Sequence, residues 1–204
     1  AKRIPLESGY YEVYNRDNVL LVDIRETPIE CITPKGIKTS DAEYEFDVII
    51  YATGFDAVTG ALTRIDIRGE GGQTFKDKWA NGPRTYLGLQ TAGFPNLFIA
   101  TNAAFCNYTV CAETIVEWIT DCIRYMREKN FARIAPTPQA EEAWVEHANE
   151  LGSHTLLSDA KSWFMGSNIP GKKRAILLYA NTAPAYRAKC AEVAAKGYEG
   201  FHLQ

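Results

Sequence analysis

The sequence predicts an α/β fold in which a mixed sheet with hairpin strands is combined with amphipathic helices. The segment 46–52 is dominated by apolar and β-branched residues without alternation, which is typical of a strand covered on both faces. Residues 109–129 carry apolar side chains at helical spacing and predict one long amphipathic helix. Two apolar segments on either side of Pro34-Lys35-Gly36 predict a β-hairpin. Strands and long helices are therefore both expected.

The predicted strands are short apolar segments bounded by glycine, proline or polar turns. Residues 62–68 alternate between apolar and polar side chains, as a half-buried strand does, and the turn Gly69-Glu70-Gly71-Gly72 follows them. A second turn at Gly93-Phe94-Pro95 separates two further strands. In chain order the predicted strands cover residues 19–24, 28–33, 37–39, 46–52, 62–68, 86–90, 96–100 and 175–179.

The predicted helices are marked by apolar periodicity and by start signals. The clearest start is Thr137-Pro138, because proline suits the first helical position and because Glu141 and Glu142 place negative charge in the first turn. In chain order the predicted helices cover residues 74–80, 109–129, 137–151 and 186–195.

The composition is that of an ordinary globular protein. The 204 residues are 46% hydrophobic and 23% charged, and the net charge is −3. The sequence contains no dense stripe of Lys and Arg, so it does not predict binding to nucleic acid or to an anionic membrane surface. No apolar run approaches the roughly 18 to 20 residues of a membrane-spanning helix, and the amino end shows no signal-peptide pattern. A cytoplasmic location without membrane association is expected.

The cysteines and histidines do not form metal-binding patterns. The five cysteines are scattered and include no Cys-x-x-Cys pair, so we expect reduced thiols, most of them packed as small hydrophobes. His147 lies near Glu142, Glu146 and Glu150 on one predicted helix. A di-iron site would need Glu-x-x-His pairs on two helices, so a solvated acidic face is the preferred interpretation and no metal is predicted.

The strand at 46–52 ends in Thr53-Gly54-Phe55-Asp56, a small-residue turn followed by an acid. Ligands of open α/β sheets bind at such carboxyl ends, where glycine permits a close backbone approach. A purely structural turn fits the same residues. The chain contains neither a phosphate-binding loop nor a Gly-x-Ser-x-Gly nucleophile motif.

Two loops carry further candidate residues. Segment 162–174 combines two aromatic residues, turn glycines, a proline and three consecutive cations. A mobile loop that lays the Trp163 indole across a polar, anionic ligand has this composition, and so does a surface loop whose tryptophan packs on its own domain. Segment 102–108 follows an apolar strand and is either a second ligand-facing strand end or a simple connection to the next helix.

Six motifs are spread in order over nearly the whole chain. They are Gly9-Tyr10-Tyr11-Glu12 with Asn15-Arg16-Asp17-Asn18-Val19, Tyr51-Ala52-Thr53-Gly54-Phe55-Asp56, Gly82-Pro83-Arg84-Thr85-Tyr86-Leu87-Gly88, Gly93-Phe94-Pro95-Asn96-Leu97-Phe98, the segment around Trp163, and Lys196-Gly197-Tyr198-Glu199-Gly200-Phe201. Together they resemble the carboxyl-terminal portion of the flavin-dependent Baeyer-Villiger monooxygenases of the cyclohexanone and phenylacetone monooxygenase type.

The resemblance implies the carboxyl-terminal part of a flavoprotein with two dinucleotide-binding domains. Residues 1–56 would end the NADPH domain and return to the FAD domain. Residues 57–204 would complete the FAD domain, with a helical segment and a control loop at about 155–174. We call residues 155–174 the Trp163 loop.

The resemblance also implies an enzyme that uses FAD and NADPH to insert one oxygen atom of O2 beside a ketone carbonyl, which gives an ester or lactone. Arg3 matches the family's catalytic arginine, a permanent cation suited to developing negative charge. Lys2 matches the lysine that meets the NADPH 2′-phosphate. Trp163 matches the tryptophan that the control loop folds over NADP.

The remaining site residues follow from the same resemblance. Asn107 and Tyr108 would contact the cofactor, and Phe105, Cys106 and Leu178 would line the ketone pocket.

The sequence departs from the family pattern at two places. It has Thr101-Asn102-Ala103-Ala104 where the family carries Gly-Pro in the flavin-contacting loop, and it lacks both Gly-x-Gly-x-x-Gly fingerprints. We therefore interpret the chain as a segment that needs the missing amino-terminal FAD- and NADPH-binding half and does not hold FAD alone. The alternatives are a degenerate, non-catalytic flavoprotein segment and an N- or S-oxidising flavin monooxygenase.

Overall fold

The computed structural model describes residues 6–100 and 107–204. Within it the chain divides into two compact units, with the boundary between Gly54 and Phe55. We call the described residues before this boundary the first unit and those after it the second unit.

The first unit is built on a three-stranded antiparallel sheet. Its elements are helix α1 (Tyr10–Val13) and strands β1 (Ile29–Thr33), β2 (Gly36–Thr39) and β3 (Glu43–Glu45), with β2 in the centre. Ile32 pairs with Ile37, and Ile37 pairs with Tyr44. The first residue of β2 has to be glycine, because a Cβ at position 36 would lie 1.9 Å from the Tyr44 carbonyl oxygen. The hairpin predicted around Pro34-Lys35-Gly36 is confirmed.

Two strands predicted for this unit, at 19–24 and 46–52, are wrong, since neither segment is a strand in the structure. A strand forms only where a neighbour accepts and donates its backbone hydrogen bonds. Apart from bonds within local turns, only the Phe46 amide bonds to another described segment, by donating to the Lys35 carbonyl at 2.9 Å, and neither run forms a strand ladder. Val48, Ile50 and Tyr51 consequently remain 73%, 84% and 69% exposed.

The second unit is mainly helical. Its helices are α2 (Gly60–Arg64), α3 (Phe75–Lys78), α4 (Tyr108–Glu128), α5 (Pro138–Ser153) and α6 (Ala183–Ala195), with 3-10 turns at Glu70–Gly72 and Trp163–Met165. Strands β4 (Ile134–Pro136) and β5 (Phe201–Leu203) form a two-stranded antiparallel ladder, in which Ala135 pairs with His202.

The main core of this unit lies around α4 and α6. Ile115, Trp118 and Cys122 on α4 are buried in the same apolar cluster as Tyr186 and Cys190 on α6. The Trp118 indole donates a hydrogen bond of 3.0 Å to the Cys190 carbonyl. The Tyr186 hydroxyl donates one of 2.8 Å to the Leu87 carbonyl. Buried polar side chains therefore tie α4 to α6 and α6 to the loop around Leu87.

The predicted helices are confirmed to within a few residues, but four predicted strands of this unit are wrong. The structure has α2 where the segment 62–68 was expected to be extended, and it has no strand within 96–100 or 175–179. At 86–90 only a single bridge joins Tyr86 and Gln90. Leu87 and Leu89 are nevertheless fully buried. The apolar pattern thus predicts correctly that these residues are buried, but it does not predict whether they pair as strands.

The thiol prediction is confirmed in part. Cys31, Cys122 and Cys190 are free, whereas Cys111 is disulfide-bonded. Burial raises the pKa of the Cys122 thiol to about 12 and that of the Cys190 thiol to about 11. Among the residues described, no helix is long and apolar enough to cross a membrane.

Candidate functional site

Half of the site residues predicted from the sequence can be located. Lys2, Arg3, Phe105 and Cys106 lie outside the described residues. Trp163, Leu178, Asn107 and Tyr108 lie within them and belong to the second unit.

The Trp163 loop is folded tightly on itself. Trp163–Met165 form a 3-10 turn that ends at Gly166, whose φ of 66° lies in the left-handed region that glycine adopts without strain. The amide of Ser167 donates to the Ser162 carbonyl at 3.1 Å, and the amide of Gly166 donates to the Trp163 carbonyl at 3.0 Å. The local backbone hydrogen bonds therefore set the position of Trp163.

Trp163 and Leu178 meet in one small apolar cluster. Leu157, Phe164 and Leu178 are its buried members, and the half-buried Trp163 packs against them. The rings of Trp163 and Phe164 are stacked, with centroids 3.9 Å apart. The structure therefore brings together two of the residues that the sequence analysis selected, and it gives Trp163 a packing surface within its own unit.

The three consecutive cations of the loop bind groups of the protein. Lys172 donates to Asp56, Lys173 donates to the Asn81 side chain at 3.1 Å, and Arg174 donates to the Ser158 carbonyl. The contacts of Lys172 and Lys173 join the loop to other segments of the second unit, and the Arg174 contact closes the loop on itself. The cations thus hold the loop in place, a role that their composition alone did not indicate.

Lys172 contacts residues that follow Thr53-Gly54 in the chain. The Lys172 Nζ lies 2.5 Å from Asp56 Oδ1 and 2.6 Å from Thr59 Oγ1. The Asn168 side-chain amide donates to the Phe55 carbonyl at 2.9 Å. Two residues of the Trp163 loop are thereby tied to the start of the second unit. Sequence reasoning missed this connection because no local pattern links residues so far apart in the chain.

Three polar groups of the loop have no protein partner in the described part of the chain. The buried hydroxyl oxygens of Ser162 and Ser167 lack a hydrogen bond. The indoles of Trp79 and Trp118 donate to protein oxygens, whereas the indole of Trp163 has no acceptor among the described residues. Buried polar groups are normally paired, so the two hydroxyls are exceptions in the segment that carries the half-buried Trp163.

Leu178 also lines a cavity of about 110 Å³, together with Val58, Arg84, Trp144 and Asn149. Ligand pockets typically measure about 300 to 1,000 Å³. The cavity in this chain is too small by itself to serve as a pocket for a cyclic ketone.

Asn107 and Tyr108 lie at the start of α4, and they are not part of the Trp163 cluster. The Asn107 side chain caps the helix by accepting hydrogen bonds from the Thr109 amide at 3.2 Å and the Thr109 hydroxyl at 2.9 Å. Tyr108 is exposed. A cap explains asparagine at this position without any ligand, so the cofactor contact of both residues stays a prediction.

Charged and metal-binding groups add little to this site. Within the described ranges, no group of His, Cys, Asp and Glu could hold a metal ion. The acidic face predicted around His147 is solvated, since Glu142, Glu146 and Glu150 are all exposed. The His147 ring itself contacts Trp144, and its Nε2 lies 3.1 Å from the Tyr179 hydroxyl.

No family model matches the chain, but curated proteins resemble it over its whole length. It is 49% identical over 210 residues to 2-oxo-Δ3-4,5,5-trimethylcyclopentenylacetyl-CoA monooxygenase of Pseudomonas putida and 49% identical over 207 residues to acetone monooxygenase (methyl acetate-forming) of Gordonia sp. strain TY-5. It is also 42% identical to phenazine N-monooxygenase PhzNO1 of Lysobacter antibioticus. These matches cover 98% to 100% of this chain but 38% to 39% of the relatives.

Solved structures share the fold. A closed crystal structure of cyclohexanone monooxygenase has a TM-score of 0.96 at 48% identity, covering 100% of this chain and 39% of that one. A crystal structure of OTEMO in complex with FAD and NADP has a TM-score of 0.93 at 49% identity, covering 100% of this chain and 38% of that one. The predicted fold class is confirmed. The chain corresponds in sequence and in fold to a carboxyl-terminal segment of the flavin-dependent Baeyer-Villiger monooxygenases.

Proposed function

We propose that the full-length protein containing this chain is an FAD- and NADPH-dependent Baeyer-Villiger monooxygenase. It inserts one oxygen atom of O2 next to a ketone carbonyl, and the other atom leaves as water. The balanced reaction is ketone, O2, NADPH and one proton to ester or lactone, NADP+ and water. The observation that carries this proposal is the match of the whole chain, at up to 49% identity, to ketone-oxidising relatives such as acetone monooxygenase.

The cofactors are proposed from the solved relative in complex with FAD and NADP and from the Trp163 loop. FAD, when bound, supplies the oxygen chemistry, and the protein supplies position and charge. Trp163 is the residue of this chain best suited to NADP, because it is half-buried and its indole has no acceptor among the described residues.

We assign the remaining roles from the family resemblance. Arg3 is the catalytic residue that stabilises developing negative charge, and Lys2 binds the NADPH 2′-phosphate. Asn107 and Tyr108 contact the cofactor. Phe105, Cys106 and Leu178 line the ketone pocket, which is completed by the amino-terminal half of the protein.

The domain assignment, with residues 1–56 and 57–204 in different domains, is also a proposal. The boundary between the two compact units, at Gly54 and Phe55, supports it. The cytoplasmic location is the simplest setting for an enzyme that uses NADPH, and it stays a prediction.

The Arg3→Ala variant of the full-length protein tests the proposal. We expect it to lose ester formation while retaining its yellow, bound flavin, because the guanidinium acts on the reacting atoms and not on FAD binding. Ester formation would be followed by gas chromatography, and flavin content by absorbance. Unchanged ester formation would remove Arg3 from the catalytic role.

Nitrogen oxidation is the second candidate, and the 42% identity to a phenazine N-monooxygenase favours it. Ketones, aromatic amines and sulfides supplied in parallel to the full-length protein separate the two functions by product. The non-catalytic alternative predicts that none of these substrates stimulates NADPH oxidation.

A further inference from the structure

We propose that Asp56 and Lys172 are positioning residues whose ion pair holds the Trp163 loop in the arrangement that shields the cofactor site from water. This inference rests on the proposed function and adds to it the groups that hold the loop. Both residues belong to the second unit. The sequence marks Asp56 as the acid after a predicted strand end and Lys172 as one of three consecutive cations, but it does not connect them.

The ammonium group of Lys172 is fixed by two acceptors. Its Nζ lies 2.5 Å from Asp56 Oδ1 and 2.6 Å from Thr59 Oγ1. The side chains of Lys172 and Asp56 are only 19% and 24% exposed, and Thr59 is buried. Water and salt screen such a pair less than they screen a surface ion pair, so its contribution is larger.

The stem of Lys172 carries the constraint to Trp163. A Cβ built on Gly166 would lie 3.2 Å from Lys172 Cε and 3.3 Å from Cδ, so the stem packs directly over this glycine. Gly166 in turn ends the 3-10 turn that begins at Trp163 and donates its amide to the Trp163 carbonyl. Displacement of Lys172 would therefore remove the packing over Gly166, the residue that ends the turn containing Trp163.

The other end of the pair is equally constrained. A Cβ built on Gly60 would lie 2.5 Å from Asp56 Cγ, which means that the Asp56 carboxylate occupies the space beside the first residue of α2. The Asn168 hydrogen bond to the Phe55 carbonyl, at 2.9 Å, provides a second attachment one residue away. The loop is thus fastened, through the adjacent residues Phe55 and Asp56, to the segment that leads into α2.

A loosened Trp163 loop has a defined chemical consequence. When the site admits water, NADPH, O2 and one proton give NADP+ and hydrogen peroxide, and no ester forms. The ratio of peroxide to ester therefore measures how well the loop is positioned, and it is independent of how much enzyme is folded.

The test compares Lys172→Met with Lys173→Met in the full-length protein. Lys173 is a matched control, because it is the neighbouring lysine and its contact with Asn81 involves no charge pair. We expect Lys172→Met to raise the peroxide-to-ester ratio and the NADP dissociation constant by about tenfold, while Lys173→Met resembles the parent. Lys172→Arg should restore most of the coupling, because the cation is retained.

A double-mutant cycle ties the effect to the pair. If Asp56 and Lys172 act together, Asp56→Asn with Lys172→Met should be no worse than either single variant. Additive losses, or a Lys172→Met enzyme with parental coupling and NADP affinity, would overturn the proposal.

Hydrogen exchange in the cofactor-free protein gives a readout that does not depend on turnover. The peptide 162–171 should exchange faster in Lys172→Met than in the parent and in Lys173→Met. Unchanged exchange contradicts the anchoring role even if activity falls. Failure of the unaltered parent protein to form ester contradicts the proposed function instead, and exchange then decides whether the ion pair anchors the loop.

Discussion

Glu141 shows how a single buried charge organises the second unit. This residue of α5 is 1% exposed, and its carboxylate accepts hydrogen bonds from Lys78 Nζ at 2.7 Å and from the Ala92 amide at 2.7 Å. Arg84 Nε lies 3.5 Å away. The carboxylate therefore joins α3, α5 and two loop segments. Helix α3 is only four residues long, and Arg84 lies in a loop. The ion network fixes both of these short segments to α5.

We predict that Glu141→Ala lowers the free energy of unfolding by about 3 kcal/mol, because it leaves the buried Lys78 ammonium without its partner. Glu192→Ala is the control, since Glu192 forms its ion pairs with Lys189 and Lys196 on the exposed surface of α6. Denaturant titration of both variants measures the difference. Equal, small effects would mean that the Glu141 network is not stabilising.

The buried thiols provide a second test at the residue scale. Burial raises the pKa of the Cys122 thiol to about 12 and of the Cys190 thiol to about 11, so both stay protonated at pH 8. Since the thiolate is the reactive form, we predict that iodoacetamide does not modify either residue at pH 8 until denaturant is added. Peptide mass spectrometry before and after denaturation measures this. Modification of Cys122 in the folded protein at pH 8 would contradict the buried environment.

At the scale of elements, the helices begin at residues that satisfy their first amides. Thr137 caps α5 by accepting from the Ala140 amide at 3.2 Å, and Thr182 caps α6 by accepting from the Ala185 amide at 3.4 Å. Each cap is followed by a proline in the first turn. These are local signals, and they can be read from a few consecutive residues.

Removal of one cap tests this interpretation. We predict that Thr137→Ala destabilises the protein by about 1 kcal/mol, because the Ala140 amide loses its acceptor. Thr120→Ala is a suitable control, since the Thr120 hydroxyl bonds back to the Val116 carbonyl within α4 and caps nothing. A thermal midpoint that falls equally in both variants would argue against capping by Thr137.

The helices and the β1–β2 hairpin could be predicted from sequence because their signals are local, whereas strands that depend on distant partners could not. The segment 46–52 has the composition of a buried strand, but pairing depends on residues elsewhere, and no described segment forms a ladder with it. The same reason applies to the site. Trp163 could be selected from its loop composition and the family pattern, whereas the contact between Lys172 and Asp56 could not be predicted because it depends on the tertiary fold. Strand pairs and ion pairs between distant residues depend on which residues are neighbours in the folded chain, and the sequence does not show this directly.

At the scale of the whole molecule, the first unit exposes an unusual amount of apolar surface. Leu20, Leu21, Val48, Ile50 and Tyr51 are all largely exposed. Patches of this kind mark surfaces that other protein covers. Because the chain spans 38% to 39% of the relatives that it matches, we propose that the amino-terminal half covers them.

This interpretation predicts that the 204-residue chain alone does not bind FAD with useful affinity, since it carries no dinucleotide fingerprint. Joined to an amino-terminal half with two such fingerprints, it should copurify with flavin. Absorbance of the purified protein between 350 and 500 nm, roughly the range of flavin bands, distinguishes the two. Stoichiometric flavin on the isolated chain would contradict the assignment.

The most direct test of the account is the fate of isotopically labelled oxygen. The full-length protein would be supplied with NADPH, a cyclic ketone and O2 labelled with oxygen-18, and the product would be analysed by mass spectrometry. The account predicts a lactone that contains one labelled oxygen atom. Consumption of NADPH with no labelled lactone from any ketone, or labelled product only from amines, would contradict it.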